Sequence, residues 1–217
     1  MTDQDAFTRQ RQAMVERQIK RRGIRDPALL DAMREVPREL FVLEKYRPAA
    51  YDDAPLPIPA NQTISQPYVV ALMIRALNLE PDACVLEVGS GSGYASAVLG
   101  RMVREVHAVE RHEELAEYAR ERLQKLGYDN VHVHHADGST GWPASAPYDG
   151  ILVSASGPRI PQALERQLAI GGRLVMPIGR ARGMQNLVRL TRLGEDEFRE
   201  QNMGGVRFVP LIGEEGW

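Results

Sequence analysis

Cysteine is almost absent from this 217-residue chain: Cys84 stands alone, so no intramolecular disulfide can form. The opening MTDQDAF is polar and lacks the basic-then-apolar order of a secretory leader, so a reducing, cytoplasmic home is expected. Long apolar runs are missing too. The longest, VVALMI from Val69 to Ile74, falls far short of the ~20 residues that cross a bilayer, and a membrane protein is not expected. Net charge is only −2, whereas duplex nucleic acid demands a strong positive field, so nucleic acid is not expected as the main partner. No tandem repeat or low-complexity stretch is visible. With 43% apolar and 26% charged residues the chain has the make-up of a folded domain, not of a disordered or fibrous one. None of the five histidines (His107, His112, His132, His134, His135) stands in a Ser-His-Asp or Cys-His pattern that would deprotonate a nucleophile.

What is present starts with AFTRQRQAMVERQIKRRG, in which Phe7, Met14, Val15 and Ile19 recur at helical spacing up to Gly23. Residues 1–25 carry seven basic side chains against three acidic, a local excess of +4 that reads either as a solvated helix face or as a docking surface for an anionic partner. Asp26 and Pro27 then supply the cap and first turn of a second short helix through Leu29, Leu30 and Met33. Five of the fourteen prolines fall between Pro48 and Pro67, which predicts an extended, semi-rigid loop. A helix is expected from Pro67 onward, YVVALMIRALNL.

The pattern then alternates. Short apolar runs predict strands at about 83–88, 105–110, 130–136, 148–154 and 172–177, with helices YASAVLGRM, HEELAEYARERLQKLG and IPQALERQL among them. Such an order specifies an α/β fold, a doubly wound, mostly parallel sheet covered on both faces. After Gly183, NLVRLTRL, EFREQNM and VRFVPLI suit antiparallel strands at the sheet edge.

In open α/β sheets, ligands bind at the carboxyl ends of strands where the topology switches. The turn after the first core strand is EVGSGSGY, whose Gly89, Gly91 and Gly93 let backbone N–H groups approach a ligand beside a helix N-terminus. Its GxGxG spacing departs from the GxGxxG dinucleotide fingerprint, which disfavours a pyrophosphate. Glu110 ends the next strand twenty-one positions after Gly89, where a carboxylate can accept both hydroxyl protons of a ribose. Asp137-Gly138 ends the strand after that and could bracket an adenine edge. Read singly, each could be a tight turn or a helix cap. Together they imply adenosine without pyrophosphate, joined to an amino acid zwitterion: S-adenosylmethionine.

HVH at 132–134 places two imidazoles on one strand face, but no cysteine is near it in sequence and Asp137 is needed elsewhere, so no metal is expected. Cys84 reads as a small core residue.

VLEVGSGSGY, VHAVE, DG at 137, YDGILVSAS and GGRLVMPIG resemble the ordered motifs of class I S-adenosylmethionine-dependent methyltransferases, with their Rossmann-like fold. VPRELFV (36–42), LPIPANQTISQPYVVALM (56–73) and VRFVPL (206–211) narrow the resemblance to the protein-L-isoaspartate O-methyltransferase family, over about residues 10–211. It implies one methyltransferase domain over 1–217: N-terminal helices and a proline-rich substrate loop at 1–66, a cofactor core at 67–180, edge strands at 181–217. It also implies methyl transfer to the free α-carboxylate of L-isoaspartyl residues in damaged proteins, with S-adenosylhomocysteine as product and a monomer as the working unit. Ser65, in TISQP, matches the family's active-site serine. The cofactor is expected at Glu87, Gly89, Ser90, Gly91, Gly93, Glu110, Asp137 and Gly138, and the acceptor at Thr63, Ile64, Ser65, Gln66, Tyr68 and Val209. Two segments depart from the family's usual pattern: PIPANQ where PIGxGQ is common, and SASGP in place of a TAAPP-like run. Two other readings remain open on the residues alone. One is a methyltransferase for a small molecule or RNA, and the other is a nucleotide-sensing module on the same fold.

Overall fold

The computed structural model describes residues 3–217; Met1 and Thr2 of the polar start lie outside them. Helix α1 (Asp3–Met14) runs on through a π turn (Val15–Ile19) and a 3-10 turn (Lys20–Arg22) to Gly23, whose φ of +95° ends it. The expected single helix is thus a composite, and its apolar residues Met14, Val15 and Ile19 are all buried. Helix α2 (Pro27–Glu35) starts as predicted, with the Asp26 carboxylate accepting from the Leu29 amide at 3.2 Å.

The proline-rich segment is less irregular than its composition predicts. It folds into a hairpin of β1 (Leu56–Pro57) and β2 (Thr63–Ile64), paired Leu56↔Ile64 and Pro57↔Thr63. Its tip holds Ala60 and Asn61 at φ of +55° and +56°, the left-handed region that favours glycine, within the PIPANQ departure. Helix α3 (Pro67–Leu77) follows, with Pro67 at its first position.

The core continues with β3 (Cys84–Val88), α4 (Tyr94–Gly100), β4 (Glu105–Glu110), α5 (Glu113–Lys125), β5 (Val131–His135), β6 (Tyr148–Val153), α6 (Gln162–Gln167), β7 (Leu168–Gly179), β8 (Gln185–Arg192) and β9 (Phe198–Val206). One seven-stranded sheet results, ordered β5-β4-β3-β6-β7-β8-β9. Strands β3 to β7 pair parallel, and β8 and β9 add an antiparallel edge. The chain winds outward from β3 to β5, then returns to β6 on the other side of β3, so the topological switch lies where β3 and β6 end.

The two faces are covered unequally. Val85, Val106, Leu152 and Val175 pack in one cluster with residues of α2, α3, α4 and α5. The opposite face, Leu86, Val109, Ile151 and Met176, is roofed by Leu164 of α6 and by Trp142, because β5 crosses to β6 through two 3-10 turns and no α-helix. Two boundaries also shift. Strand β7 starts at Leu168, absorbing the end of the expected helix, since its pairing with β6 extends to Tyr148↔Leu168 past an irregularity. VRFVPL is not an edge strand: β9 stops at Val206, and the chain crosses to the segment that follows β6, where Ser156 N donates to Val209 O and Leu211 N to Ser156 O, both at 2.8 Å. Pro210 brings no N–H to a ladder. Among the described residues, no helix is long and apolar enough to cross a membrane.

Candidate active site

The turn between β3 and α4 holds Gly89, Gly91 and Gly93 at φ of +78°, +55° and +89°, so all three glycines occupy backbone that L side chains rarely adopt. This geometry folds the loop over the end of β4. Gly89 N and Ser90 N donate to Val109 O at 2.8 and 3.3 Å. The Glu110 carboxylate is gripped at both oxygens, by Gly91 N at 2.9 Å and His112 N at 2.9 Å, and the residue is 5% exposed. Two backbone amides fix its orientation and leave its remaining lone pairs for hydroxyl donors. Ser90 and Ser92 carry buried hydroxyls without a protein partner. Unpaired buried hydroxyls in a glycine loop are what a zwitterionic ligand head would satisfy.

A cavity of about 320 Å³ is bounded by Gly89, Gly91, Glu110 and Gly138 on the sheet side and by Thr63, Val209 and Leu211 opposite. That volume lies within the range of small-molecule sites. Gly138 has no room for a side chain, since a Cβ there would come within 2.6 Å of Val88 Cγ1. Asp137 is placed differently. Its carboxylate accepts from Ser139 N at 2.9 Å, Ser139 Oγ at 2.8 Å and Glu214 N at 2.8 Å, binding the C-terminal segment. Burial pushes this acid up, but those donors outweigh it and hold it below the usual aspartate value.

Beside this cavity lie two others, of about 550 Å³ and about 40 Å³, and Ser65 borders both. Thr63 and Ser154 border all three, so they form the partition between the cofactor-sized cavity and the space at Ser65. Gln66 and Val209 line the larger of the two and Ile64 the smaller. Tyr68 is turned away: its ring lies under the Arg22 guanidinium, 3.2 Å from the ring centroid.

Two supports escaped the sequence reading. Arg38 is 0% exposed; it donates through Nη2 to Ser65 O at 2.8 Å and through Nε to Ala50 O at 2.7 Å, pinning both ends of the proline-rich segment. Burial lowers its pKa from the ordinary arginine value. An arginine amid the apolar residues of VPRELFV was the available signal. Ser154, at the end of β6, donates to Glu87 at 3.5 Å, and Ser96 donates to the other oxygen of that carboxylate. Glu87 is 1% exposed and its pKa is pushed up to about 7, by burial first; the two serines oppose the rise and nearby Glu110 adds to it.

Much of the basic charge on the first helical segment is spent within the chain. Arg11 faces Glu39 at 3.8 Å, Lys20 faces Glu16 at 3.1 Å and Arg22 faces Asp53 at 2.9 Å.

Comparison with known proteins places this geometry. The family model for protein-L-isoaspartate(D-aspartate) O-methyltransferase matches residues 9–216. A protein-L-isoaspartate O-methyltransferase from Rhodopseudomonas palustris is 58% identical over 204 residues, covering 94% of each chain. Among solved structures, a protein-L-isoaspartate O-methyltransferase superposes with a TM-score of 0.87 at 29% identity, over 95% of this chain and 67% of the other. A Plasmodium falciparum protein named for the same enzyme, in complex with S-adenosyl-L-homocysteine, gives 0.80 at 28% identity, over 93% of this chain and 98% of the other. Matched by the family model over residues 9–216 and by a relative at 58% identity over 94% of its length, this chain belongs to the protein-L-isoaspartate O-methyltransferase family.

Proposed function

We propose that this protein transfers the methyl group of S-adenosylmethionine to the free α-carboxylate of L-isoaspartyl residues in damaged proteins. The observation that carries the reading is the partition at Thr63 and Ser154, with a cofactor-sized cavity on one side and Ser65 on the other. Bound S-adenosylmethionine supplies an electrophilic methyl group on a sulfonium. The residues fit its parts. Glu110 can accept from the ribose hydroxyls, the amides and hydroxyls of residues 89–93 can meet the methionyl carboxylate, and Glu87 can meet the ammonium. Gly138 gives the adenine a flat wall, while Asp137 acts from behind by anchoring the tail.

The acceptor carboxylate is already ionised at neutral pH, with a pKa of ~4, so no general base is required. As the anion attacks the cation, charge is cancelled, and a guanidinium clamped on the acceptor would stabilise the ground state more than the barrier. Ser65 suits the task because a neutral hydroxyl steers a carboxylate without quenching it. Its backbone is held by Arg38, so the hydroxyl starts from a fixed position. The resulting methyl ester loses methanol to the neighbouring backbone amide, forming a succinimide that reopens partly to normal aspartate.

We read the working unit as a monomer, with 1–66, 67–180 and 181–217 as parts of one domain. A single buried cysteine suits a reducing, cytoplasmic setting. Methanol release from paired isoaspartyl and aspartyl peptides tests the reading. Turnover of the isoaspartyl peptide alone is expected. Turnover of neither, with methylation of RNA or a small molecule instead, would overturn it.

A further inference from the structure

The thinly covered sheet face carries a cluster that methyl transfer does not use. Cys84 pairs with Glu105 across β3 and β4, and His107 pairs with His132 across β4 and β5. Glu105 and His107 are two apart on one strand and so share its face, which collects four potential ligands from three adjacent strands. Cys84 Sγ, a Glu105 carboxylate oxygen and a His107 ring nitrogen lie within 4.8 Å of one another. His107 Nε2 and His132 Nε2 approach the same oxygen, Glu105 Oε1, at 3.4 and 3.3 Å.

We propose that Cys84, Glu105, His107 and His132 form a binding site for a divalent transition metal, with zinc as the ion this donor set matches best. One thiolate, two imidazoles and one carboxylate suit borderline-soft zinc and are poor company for magnesium or calcium. Ligand atoms around tetrahedral zinc stand roughly 3.3–3.8 Å apart, so Cys84, Glu105 and His107 need to close by only about 1 Å, while His132, which reaches Glu105 but stands outside the mutual reach of those three, must swing in from the rim to complete the set. His107 is also backed as a metal-bound imidazole should be. Its Nδ1 lies 3.2 Å from His134 Nε2, and the His134 ring stacks on Trp142 at 3.9 Å between centroids. That contact fixes the ring and leaves Nε2 to face the ion. The His132 side chain is 44% exposed and forms the entry from solvent, while Cys84 closes the floor. The site lies at the amino ends of β3 and β4, roughly 16 Å along the strand from Glu110, so the ion holds the sheet together and stays out of the methyl transfer.

The test uses full-length, tag-free protein stripped by chelator, titrated with zinc chloride alone in a calorimeter. One equivalent should bind at micromolar affinity or tighter and raise the melting temperature. His132→Ala and Cys84→Ser should each weaken binding by about tenfold or more, while His135→Ala, a surface-histidine control, should not. Cobalt(II) should give thiolate-to-metal charge-transfer absorption that Cys84→Ser abolishes. Far-UV circular dichroism checks that each variant folds, and His132, being the most exposed of the four, keeps the test decisive if Cys84→Ser does not. Absence of saturable uptake, or uptake unchanged in His132→Ala, would overturn the site.

Discussion

The guanidinium of Arg38 donates to the backbone carbonyl of Ser65 at 2.8 Å, so a fully buried arginine on an early 3-10 turn holds the loop that presents the serine. Its other donor reaches Ala50 O at 2.7 Å, and the positive charge sits 4.7 Å from the centre of the Tyr94 ring. The Ser65 backbone therefore owes its position to a residue twenty-seven places away in the chain.

Arg38→Met should act through that loop. Two carbonyls lose their donor, the buried one of Ala50 at a cost of about 1–3 kcal/mol in stability and the part-buried one of Ser65 at less. Turnover should fall while the affinity for S-adenosylmethionine stays near that of wild type, because the variant leaves Glu110 untouched. Ser65→Ala should lower kcat by about tenfold or more with little change in melting temperature. Steady-state kinetics with an isoaspartyl peptide separate the two, and equal kcat in Ser65→Ala and wild type would remove the serine from its assigned role.

Glu110→Ala should weaken cofactor binding by about 1–3 kcal/mol through the lost hydroxyl contacts. The substitution also frees Gly91 N and His112 N, which the carboxylate now holds. Glu110→Gln keeps one acceptor oxygen and must turn an NH2 toward one of those amides, so it should fall between alanine and wild type. Calorimetry with S-adenosylhomocysteine reads the order.

Asp137→Ala predicts a different phenotype. This carboxylate ties down Glu214 N, and Trp217 Nε1 donates to Ser156 O at 3.0 Å in the same tail. Cleavage after residue 211 should become faster in the variant, and its cofactor affinity should drop less than that of Glu110→Ala. Limited proteolysis followed by mass spectrometry reads the first effect. A tail as resistant as in wild type would mean that the anchor carries no load.

Glu87 links stability to pH. Its folded-state pKa of about 7 lies above the ordinary 4.5, so the folded protein binds the proton more tightly than the unfolded chain does. The stabilisation is complete below pH 4.5, is lost as pH rises to about 7, and is constant beyond; the full span is about 3 kcal/mol. Glu87→Gln removes this dependence. Urea denaturation of the ligand-free protein should find the variant more stable than wild type at pH 8, with the difference shrinking toward pH 5. A pH-independent difference would place the raised pKa elsewhere.

Periodicity and punctuation in the sequence settled the alternating strands and helices of the core from β3 to β6, that the sheet is mainly parallel, and that a glycine turn and Glu110 meet at neighbouring strand ends. Those features are local: burial alternation, capping residues and positive-φ glycines act within a few residues, and their chemistry is visible in the letters. Only the tertiary structure decided that Asp137 binds the tail, that Arg38 reaches Ser65, and that VRFVPL crosses to the segment after β6. It also brought Cys84 beside Glu105 and the histidines, although no cysteine lies near HVH in the chain. Strand register and crossover path choose such neighbours, and both emerge when the whole sheet packs. No window of sequence encodes them.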